Sequence, residues 1–241
     1  MSGKKAADLL TEVCPTISVG MLTADLLSLG SELKLLEQAD VKLLHVDVMD
    51  GCFCPMMTVG PPLIQAMRTP LLKDVHLMIQ DPLEKLDEYV AAGADLITVH
   101  AESCVHIHRV LQHLAGLVNA NDAGRGLVKG VALNPGTPLE ILDALLDDLD
   151  MVFLLAINPG WKGQKFQAST ARRVEKLKAM TAGASRKIFV GLDGGITRSN
   201  MAEVARLGVD IVVTGSAVFD GKAPAENARF MLDTLRAHSP R

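Results

Sequence analysis

Short aliphatic runs alternate with longer amphipathic stretches along the whole chain. Eight of these runs have the length and the Val, Ile and Leu content of strands that are buried on both faces. These candidate strands are Thr16–Met21, Lys42–Met49, Asp74–Ile79, Leu96–His100, Val128–Asn134, Met151–Asn158, Lys187–Asp193 and Ile211–Ser216. Helical patterns lie between them, for example at Leu83–Ala92, Ile107–Val118, Leu139–Leu146 and Thr170–Met180. Regular alternation of strand and helix predicts a parallel sheet with right-handed crossovers.

The number of these units predicts how the sheet closes. Eight units in 241 residues match a (β/α)₈ barrel, which typically has about 250 residues. No G-x-G-x-x-G phrase follows the first strand, which removes the main signal for an open dinucleotide-binding sheet. No linker or low-complexity segment interrupts the pattern. We therefore predict an α/β protein, a single (β/α)₈ TIM barrel domain with parallel strands over residues 1–241.

Composition and charge narrow the class of protein. Hydrophobic residues make up 49% of the chain and aromatic residues only 3%, which suits the aliphatic interior of a barrel. A net charge of −4 argues against a nucleic-acid partner bound through a global positive field. No apolar run approaches the roughly 18 residues of a membrane span, and the N-terminus lacks the apolar segment of a signal peptide. We expect a cytoplasmic protein whose cysteines are reduced.

Ionisable side chains lie where three of the predicted strands end. His45 and Asp47 are two residues apart on the second strand, so both project from the same face. Val46 and Val48 occupy the opposite face, toward the helices, so His45 and Asp47 point into the barrel. His76 and Asp193 lie near the ends of the third and seventh strands, and the active site of such barrels lies at these ends. The four side chains together predict a divalent-metal site for Zn²⁺, Fe²⁺, Mn²⁺ or Co²⁺.

The loops after the last three strands are rich in glycine. Glycine lets the backbone approach a ligand closely, and loops after strands seven and eight often bind phosphate in this fold. The predicted substrate- and phosphate-binding residues are Gly160, Trp161, Lys162, Gly163, Gly194, Gly195, Gly215 and Ser216. Backbone amides bind phosphate even on an acidic protein, so we expect a small anionic substrate.

Several phrases give the chain a more specific resemblance. They are His45-Val-Asp-Val-Met-Asp-Gly51, Asp74-Val-His-Leu-Met78, Ala92-Gly-Ala-Asp-Leu-Ile-Thr-Val-His-Ala-Glu102, Leu133-Asn-Pro-Gly-Thr-Pro138 and Asp193-Gly-Gly195. In these phrases, and along nearly the whole chain, the sequence resembles the ribulose-phosphate 3-epimerase family.

The resemblance implies a metal-dependent isomerase of carbohydrate metabolism, with D-ribulose 5-phosphate and D-xylulose 5-phosphate, of the pentose phosphate pathway, as the expected pair. It implies one divalent metal ion per subunit, held by His45, Asp47, His76 and Asp193, and a homo-oligomer. Asp47 and Asp193 are then the acid–base pair on opposite faces of the substrate. Met49 and Met78 correspond to methionines that pack near the enediolate face, although soft core filling explains them equally well.

The chemistry of epimerisation is consistent with two carboxylates. Inversion of a carbon beside a ketone removes a proton from one face and returns one to the other. A single base tends to return the proton to the face it came from, so two bases are needed. A bound divalent metal would act as a Lewis acid and stabilise the negative charge that develops when this proton is removed.

Departures from the family pattern leave the sugar open. Gly20 stands where the family has a serine on strand one, and Leu155 replaces a methionine. The family's Gly-Phe-Gly-Gly phosphate loop is here Gly160-Trp161-Lys162-Gly163. These positions surround the substrate and leave the four metal candidates intact. The same reaction on another ketose phosphate, such as allulose 6-phosphate or a tetrulose phosphate, is therefore the first alternative.

Two further alternatives differ in chemistry. A barrel decarboxylase of the related phosphate-binding superfamily requires lysine in an Asp-x-Lys-x-x-Asp phrase on strand three, where this chain has His76. A paralogue that binds a sugar phosphate without turnover is disfavoured by the intact set of two histidines and two aspartates. His100, at the end of strand four, has no assigned role at this stage.

Overall fold

The computed structural model describes residues 4–161 and 163–240, and it closes into a barrel of eight parallel strands in sequential order, β1 to β8. The strands are β1 Thr16–Gly20, β2 Leu43–Met49, β3 Leu72–Met78, β4 Leu96–His100, β5 Val128–Leu133, β6 Met151–Leu155, β7 Phe189–Asp193 and β8 Ile211–Thr214. Strand β8 pairs in parallel with β1 and completes the closure. The predicted (β/α)₈ fold is confirmed.

Helices alternate with the strands. The α-helices are α1 Ala6–Val13, α2 Leu29–Gln38, α3 Pro61–Ala66, α4 Leu86–Ala91, α5 Ile107–Gly116, α6 Ser169–Thr181, α7 Met201–Arg206 and α8 Pro224–His238. Short 3₁₀ segments occur at Met21–Thr23, Leu83–Lys85, Ala101–Ser103 and Leu139–Leu145. The stretch between β5 and β6, predicted as a regular helix, is thus a run of 3₁₀ turns.

All eight predicted strands are present, and the differences lie at their ends. Strand β3 begins at Leu72, two residues before the predicted start. Strand β6 ends at Leu155, three residues before the predicted end at Asn158. The apolar run continues past Leu155 because Ala156 is also buried, and burial alone does not distinguish strand from loop.

Inward and outward positions alternate along each strand. Outward residues such as Val46 and Val75 belong to the large cluster between sheet and helices. A smaller inner cluster fills the lower barrel, and Leu10 of α1 belongs to it. Helix α1 thus closes the N-terminal end of the barrel, and the opposite end is left for polar side chains.

The width of the barrel interior is set partly by residues without side chains. Phe153 is buried inside the barrel, and a Cβ atom at Gly191 would lie 2.3 Å from its ring. The large ring on β6 therefore requires glycine on the neighbouring β7. Directly above this layer lie the ionisable residues of the strand ends.

The helices described above are too short or too polar to span a membrane. Within residues 4–161 and 163–240, no helix has the length and apolar character needed to cross a lipid bilayer.

Candidate metal and substrate site

Four ionisable side chains meet at the C-terminal end of the barrel. They are the residues predicted from the strand ends: His45 and Asp47 of β2, His76 of β3 and Asp193 of β7. Each offers one ligand atom, and the four atoms all lie within 4.8 Å of one another. Register explains part of this, because Asp47 stands directly opposite His76 in the β2–β3 pair.

The Asp47 carboxylate is the centre of the cluster. Its Oδ1 atom lies 3.1 Å from Nε2 of His45 and 3.1 Å from Nδ1 of His76. The same Nδ1 atom lies 3.5 Å from Oδ2 of Asp193. The imidazoles are 0% and 1% exposed, whereas the side chains of Asp47 and Asp193 are 20% and 16% exposed. The histidines therefore form the base of the cluster, and the partly exposed carboxylates face the mouth of the barrel.

The electrostatics of the cluster follow from this packing. Burial alone would lower the pKa of His45, but the carboxylates of Asp74 and Asp47 outweigh it and raise that pKa well above 6.5. Burial would likewise lower the pKa of His76, but the hydrogen bonds to Asp193 and Asp47 outweigh it and raise that pKa. For Asp47, burial would raise the pKa, but His45 and His76 lower it. The carboxylates thus favour a positive charge between them, on the two imidazoles or on a bound cation.

The donor set suits a divalent cation. Two imidazole nitrogens and two carboxylate oxygens lie close enough to converge on one ion, and this mixture is typical of Zn²⁺, Fe²⁺, Mn²⁺ and Co²⁺ sites. The candidate ligand atoms His45 Nε2 and His76 Nδ1 both face Asp47 Oδ1. Each ring then keeps its other nitrogen free to bond with the protein behind it.

The nitrogen behind His45 contacts a residue that sequence reasoning missed. Nδ1 of His45 lies 2.7 Å from Oδ2 of Asp74, and the Ser18 hydroxyl donates to the same oxygen at 2.8 Å. Both Asp74 and Ser18 are fully buried inside the barrel. The signal was available, because Asp74 precedes His76 by two residues and so shares its inward face.

The nitrogen behind His76 contacts His100, the residue left without a role. The two Nε2 atoms are 2.9 Å apart, and Nδ1 of His100 lies 3.2 Å from Oε2 of Glu102. Burial lowers the pKa of His100 to about 4, so the ring is neutral at pH 7. Sequence alone could not pair these residues because the contact depends on how the β3 and β4 side chains meet inside the barrel.

A pocket of about 160 Å³ opens beside the cluster. Asp47 and Asp193 both line it, and strands β1 and β8 lie between them in the barrel. Strand β1 ends at Gly20, Gly215 directly follows β8, and both glycines also line the pocket. A Cβ atom at Gly20 would come no closer than 3.6 Å to its neighbours. The pocket wall between the two carboxylates therefore includes two residues without side chains.

The predicted phosphate residues divide into two groups. Four of them line the same pocket as the carboxylates, namely Gly194, Gly195, Gly215 and Ser216. Of the part of the chain that is described, Gly160, Trp161 and Gly163 do not belong to the pocket wall. Lys162 lies outside the described residues. The predicted residues after β7 and β8 thus lie beside the two carboxylates, and phosphate binding by any of the predicted residues stays a prediction.

The loop after β6 is held by its own side chains. Gln164 Nε2 donates to the carbonyls of Asn158 and Trp161 at 2.6 and 2.8 Å, and its Oε1 accepts from the Asn158 amide. Gly160 has a φ of 85° and packs where a Cβ atom would lie 2.7 Å from Cys54 Cβ. Here glycine serves the turn and its packing. Trp161 is 57% exposed.

The two methionines lie side by side. Met49 and Met78 are register partners at the ends of β2 and β3, on the inward face that also carries Asp47 and His76. Met78 is buried and Met49 is half-buried. Leu155 is buried in the inner cluster of the barrel.

Fold and site together define a class: a (β/α)₈ barrel with a two-histidine, two-aspartate cluster beside a glycine-lined pocket at its C-terminal mouth. The chain belongs to the ribulose-phosphate 3 epimerase family, whose sequence model matches residues 16–219. The resemblance predicted from sequence is thereby confirmed, and so is the prediction of an isomerase of this family.

Individual relatives agree. The chain is 38% identical to the ribulose-phosphate 3-epimerase of Bacillus subtilis (strain 168) over 213 residues, which is 87% of this chain and 93% of the relative. It is 39% identical to the chloroplastic ribulose-5-phosphate-3-epimerase of Arabidopsis thaliana over 214 residues, 87% and 73% of the two chains.

More distant solved structures share the fold. One is 3-hexulose-6-phosphate synthase from Salmonella typhimurium, with a TM-score of 0.65 and 19% identity over 92% of this chain and 99% of that one.

Proposed function

We propose that the protein is a metal-dependent 3-epimerase that interconverts D-ribulose 5-phosphate and D-xylulose 5-phosphate. One observation carries the proposal. Two carboxylates, Asp47 of β2 and Asp193 of β7, line the same pocket, and strands β1 and β8 lie between them in the barrel. The epimerases of Bacillus subtilis and Arabidopsis thaliana support the choice of pentulose phosphate.

The two carboxylates perform the proton transfers. The ionised carboxylate removes the proton at carbon 3 from its own face of the sugar, and the protonated one delivers a proton to the other face. For the reverse reaction Asp47 and Asp193 exchange roles. Their placement on β2 and β7, with β1 and β8 between them, supports this division of labour.

His45, Asp47, His76 and Asp193 are the proposed ligands of one divalent metal ion per subunit, Zn²⁺, Fe²⁺, Mn²⁺ or Co²⁺. When bound, the ion supplies Lewis-acid stabilisation of the negative charge that develops on the sugar oxygens. The buried imidazoles hold their ring planes fixed, because each is bonded on its far side to Asp74 or His100.

The phosphate binds, in this proposal, to the loops after β7 and β8. Gly194 and Gly195 line the pocket and have φ values of 99° and 69°, a backbone conformation that favours glycine. After β8, the amides of Val218 and Phe219 both donate to the Gly215 carbonyl. The first amides of such a helical turn, including that of Ser216, have no partner within the turn and attract anions.

Met49 and Met78 supply an apolar surface beside the carboxylates. Their thioethers are polarizable and adaptable, so they can pack against the sugar. They carry no proton to donate, so they leave proton transfer to the two carboxylates. We also propose a homo-oligomer in the cytoplasm, where the free thiols Cys14, Cys52, Cys54 and Cys104 stay reduced.

Gly20 favours a second substrate. Its missing side chain leaves room for an additional group, so a larger ketose phosphate such as allulose 6-phosphate is the competing candidate, with a tetrulose phosphate as the smaller one. In each case the reaction and its carboxylates are unchanged.

A substrate panel tests the proposal. Metal-loaded protein is assayed with pentulose, hexulose and tetrulose phosphates, and kcat/KM is compared. We expect the pentulose phosphate to have the highest kcat/KM. A preference for another ketose phosphate would replace the substrate and keep the mechanism, and tight binding without turnover of any sugar would identify a binding protein instead.

A further inference from the structure

We propose that His100 and Glu102 are positioning residues that fix the tautomer and the ring orientation of His76, so that His76 offers Nδ1 to the metal site. The inference rests on the proposed metal-binding function of the cluster. It concerns a hydrogen-bonded arm that runs from His76 through His100 to Glu102 at the barrel rim.

The tautomers follow from the contacts. Nδ1 of His76 faces the carboxylates of Asp47 and Asp193, so it must be unprotonated to act as a ligand. Its proton then resides on Nε2, which donates to Nε2 of His100 at 2.9 Å. Nε2 of His100 is therefore an acceptor, and the His100 proton resides on Nδ1.

Glu102 completes the assignment. Nδ1–H of His100 donates to its Oε2 atom at 3.2 Å. The reverse pair of tautomers would direct an unprotonated nitrogen of His100 at a carboxylate, which offers no proton when it is ionised. The Thr137 hydroxyl and the Asn134 amide, the latter at 2.7 Å, donate to Oε1 of Glu102 and stabilise its charge. Only the arrangement with Nε2–H on His76 and Nδ1–H on His100 satisfies both hydrogen bonds of the arm.

The arm is anchored outside the barrel. Arg173 of α6 donates to the carbonyls of Asn134, Pro135 and Thr137 at 3.1, 3.0 and 2.7 Å. The guanidinium thereby holds the loop after β5 in the conformation that presents two donors to Glu102. This gives the Leu133–Pro138 phrase a role. Its backbone orients the Glu102 carboxylate, which acts on His76 through His100.

His100 acts through His76 and does not touch the substrate pocket. The two rings are nearly parallel, with an interplanar angle of 16° and centroids 5.0 Å apart, and Phe53 lies beside His100 at a centroid distance of 4.7 Å. His100 is fully buried, and it does not belong to the pocket wall among the described residues. Such outer partners fix a ligating imidazole and typically change metal affinity about 10–100-fold when removed.

Metal affinity of the folded protein tests the inference. The Zn²⁺ dissociation constant is measured for metal-free protein by competition with a chromogenic chelator, in the wild type and in His100→Gln, His100→Leu and Glu102→Gln. Glutamine places an acceptor oxygen near the position of Nε2, and leucine does not. His113→Leu, on the outer side of α5, is the matched control because it makes the same change away from the site.

We expect His100→Leu and Glu102→Gln to bind Zn²⁺ roughly 10–100-fold more weakly than the wild type. His100→Gln should recover most of the loss, and His113→Leu should match the wild type. Equal affinity of wild type and His100→Leu would overturn the inference alone. A wild type that binds no divalent metal would overturn the proposed function together with it.

The tautomers are read directly in a second measurement, which does not depend on any variant folding. Two-bond ¹H–¹⁵N spectra of zinc-loaded, ¹⁵N-histidine-labelled protein distinguish Nδ1–H from Nε2–H rings. We expect Nε2–H for His76 and Nδ1–H for His100. The opposite tautomer at either ring would contradict the proposed arm.

Discussion

His45 and Asp74 form a hydrogen-bonded pair inside the barrel, with Nδ1 of the imidazole 2.7 Å from Oδ2 of the carboxylate and both side chains fully buried. The bond assigns the proton to Nδ1 and leaves Nε2 of His45 to face Asp47. A proposed metal ligand on one strand is therefore oriented by a carboxylate on the next. The pairing has a measurable consequence.

We expect Asp74→Asn to weaken divalent-metal binding about 10–100-fold, because an amide does not stabilise the Nδ1–H tautomer as a carboxylate does. Titration of metal-free protein with Zn²⁺ measures the change. Ser18→Ala is the control, since it removes the other bond to the same oxygen and leaves the carboxylate in place. Equal losses in the two variants would show that packing of the layer, not the charge of Asp74, matters.

Asp47→Asn and Asp193→Asn should each lower kcat by roughly 10²–10⁴-fold, the usual contribution of a positioned acid or base. Steady-state kinetics at saturating metal checks this, with bound metal quantified in every variant because both carboxylates belong to the cluster. Asp148→Asn makes the same change at a partly exposed residue that pairs with His108 and should be neutral. Substantial activity in either metal-loaded site variant would remove that carboxylate from the mechanism.

Much of this arrangement was predictable from the chain, and the reason is periodicity. The two-residue spacing of His45 and Asp47 on an aliphatic strand dictates their common inward direction, and the structure has that arrangement. The strand count predicted closure of the barrel in the same way.

Other features depend on contacts between elements that are distant in sequence. The approach of His100 to His76 is set by the side chains that two strands direct into one interior. Glycine composition could not tell the loop after β6 from those after β7 and β8. Gln164 ties the first loop to itself, whereas Gly194 and Gly215 line the pocket.

Gly191→Ala should destabilise the barrel by about 1–3 kcal/mol, because the new methyl group would overlap the ring of Phe153 in a closely packed interior. Urea unfolding gives the free-energy change. Gly116→Ala at the end of α5 meets nothing within 4 Å and should be neutral or slightly stabilising. Adding Phe153→Leu to Gly191→Ala should recover part of the loss, and strictly additive losses would contradict the proposed overlap.

Gly20→Ser should fold normally, since its Cβ atom meets only Gly215 and Thr214 at 3.6 Å or more. If the pentulose phosphate is the substrate, the restored hydroxyl should raise its kcat/KM by about 2–10-fold, the worth of one hydrogen bond. The added side chain should lower kcat/KM for a hexulose phosphate. Gly20→Ala separates the effects, because it reduces the space without offering a hydroxyl. A gain for the hexulose phosphate in the serine variant would contradict this account of the pocket.

Deuterium incorporation at carbon 3 tests the central claim most directly. Metal-loaded protein is allowed to convert D-ribulose 5-phosphate in heavy water for a small fraction of the reaction, and substrate and product are recovered separately. Transfer by two carboxylates predicts one deuterium at carbon 3 of the newly formed D-xylulose 5-phosphate and none in the remaining substrate. Product formed without deuterium, or deuterium appearing in the substrate as fast as in the product, would contradict the assignment of Asp47 and Asp193 as an acid–base pair.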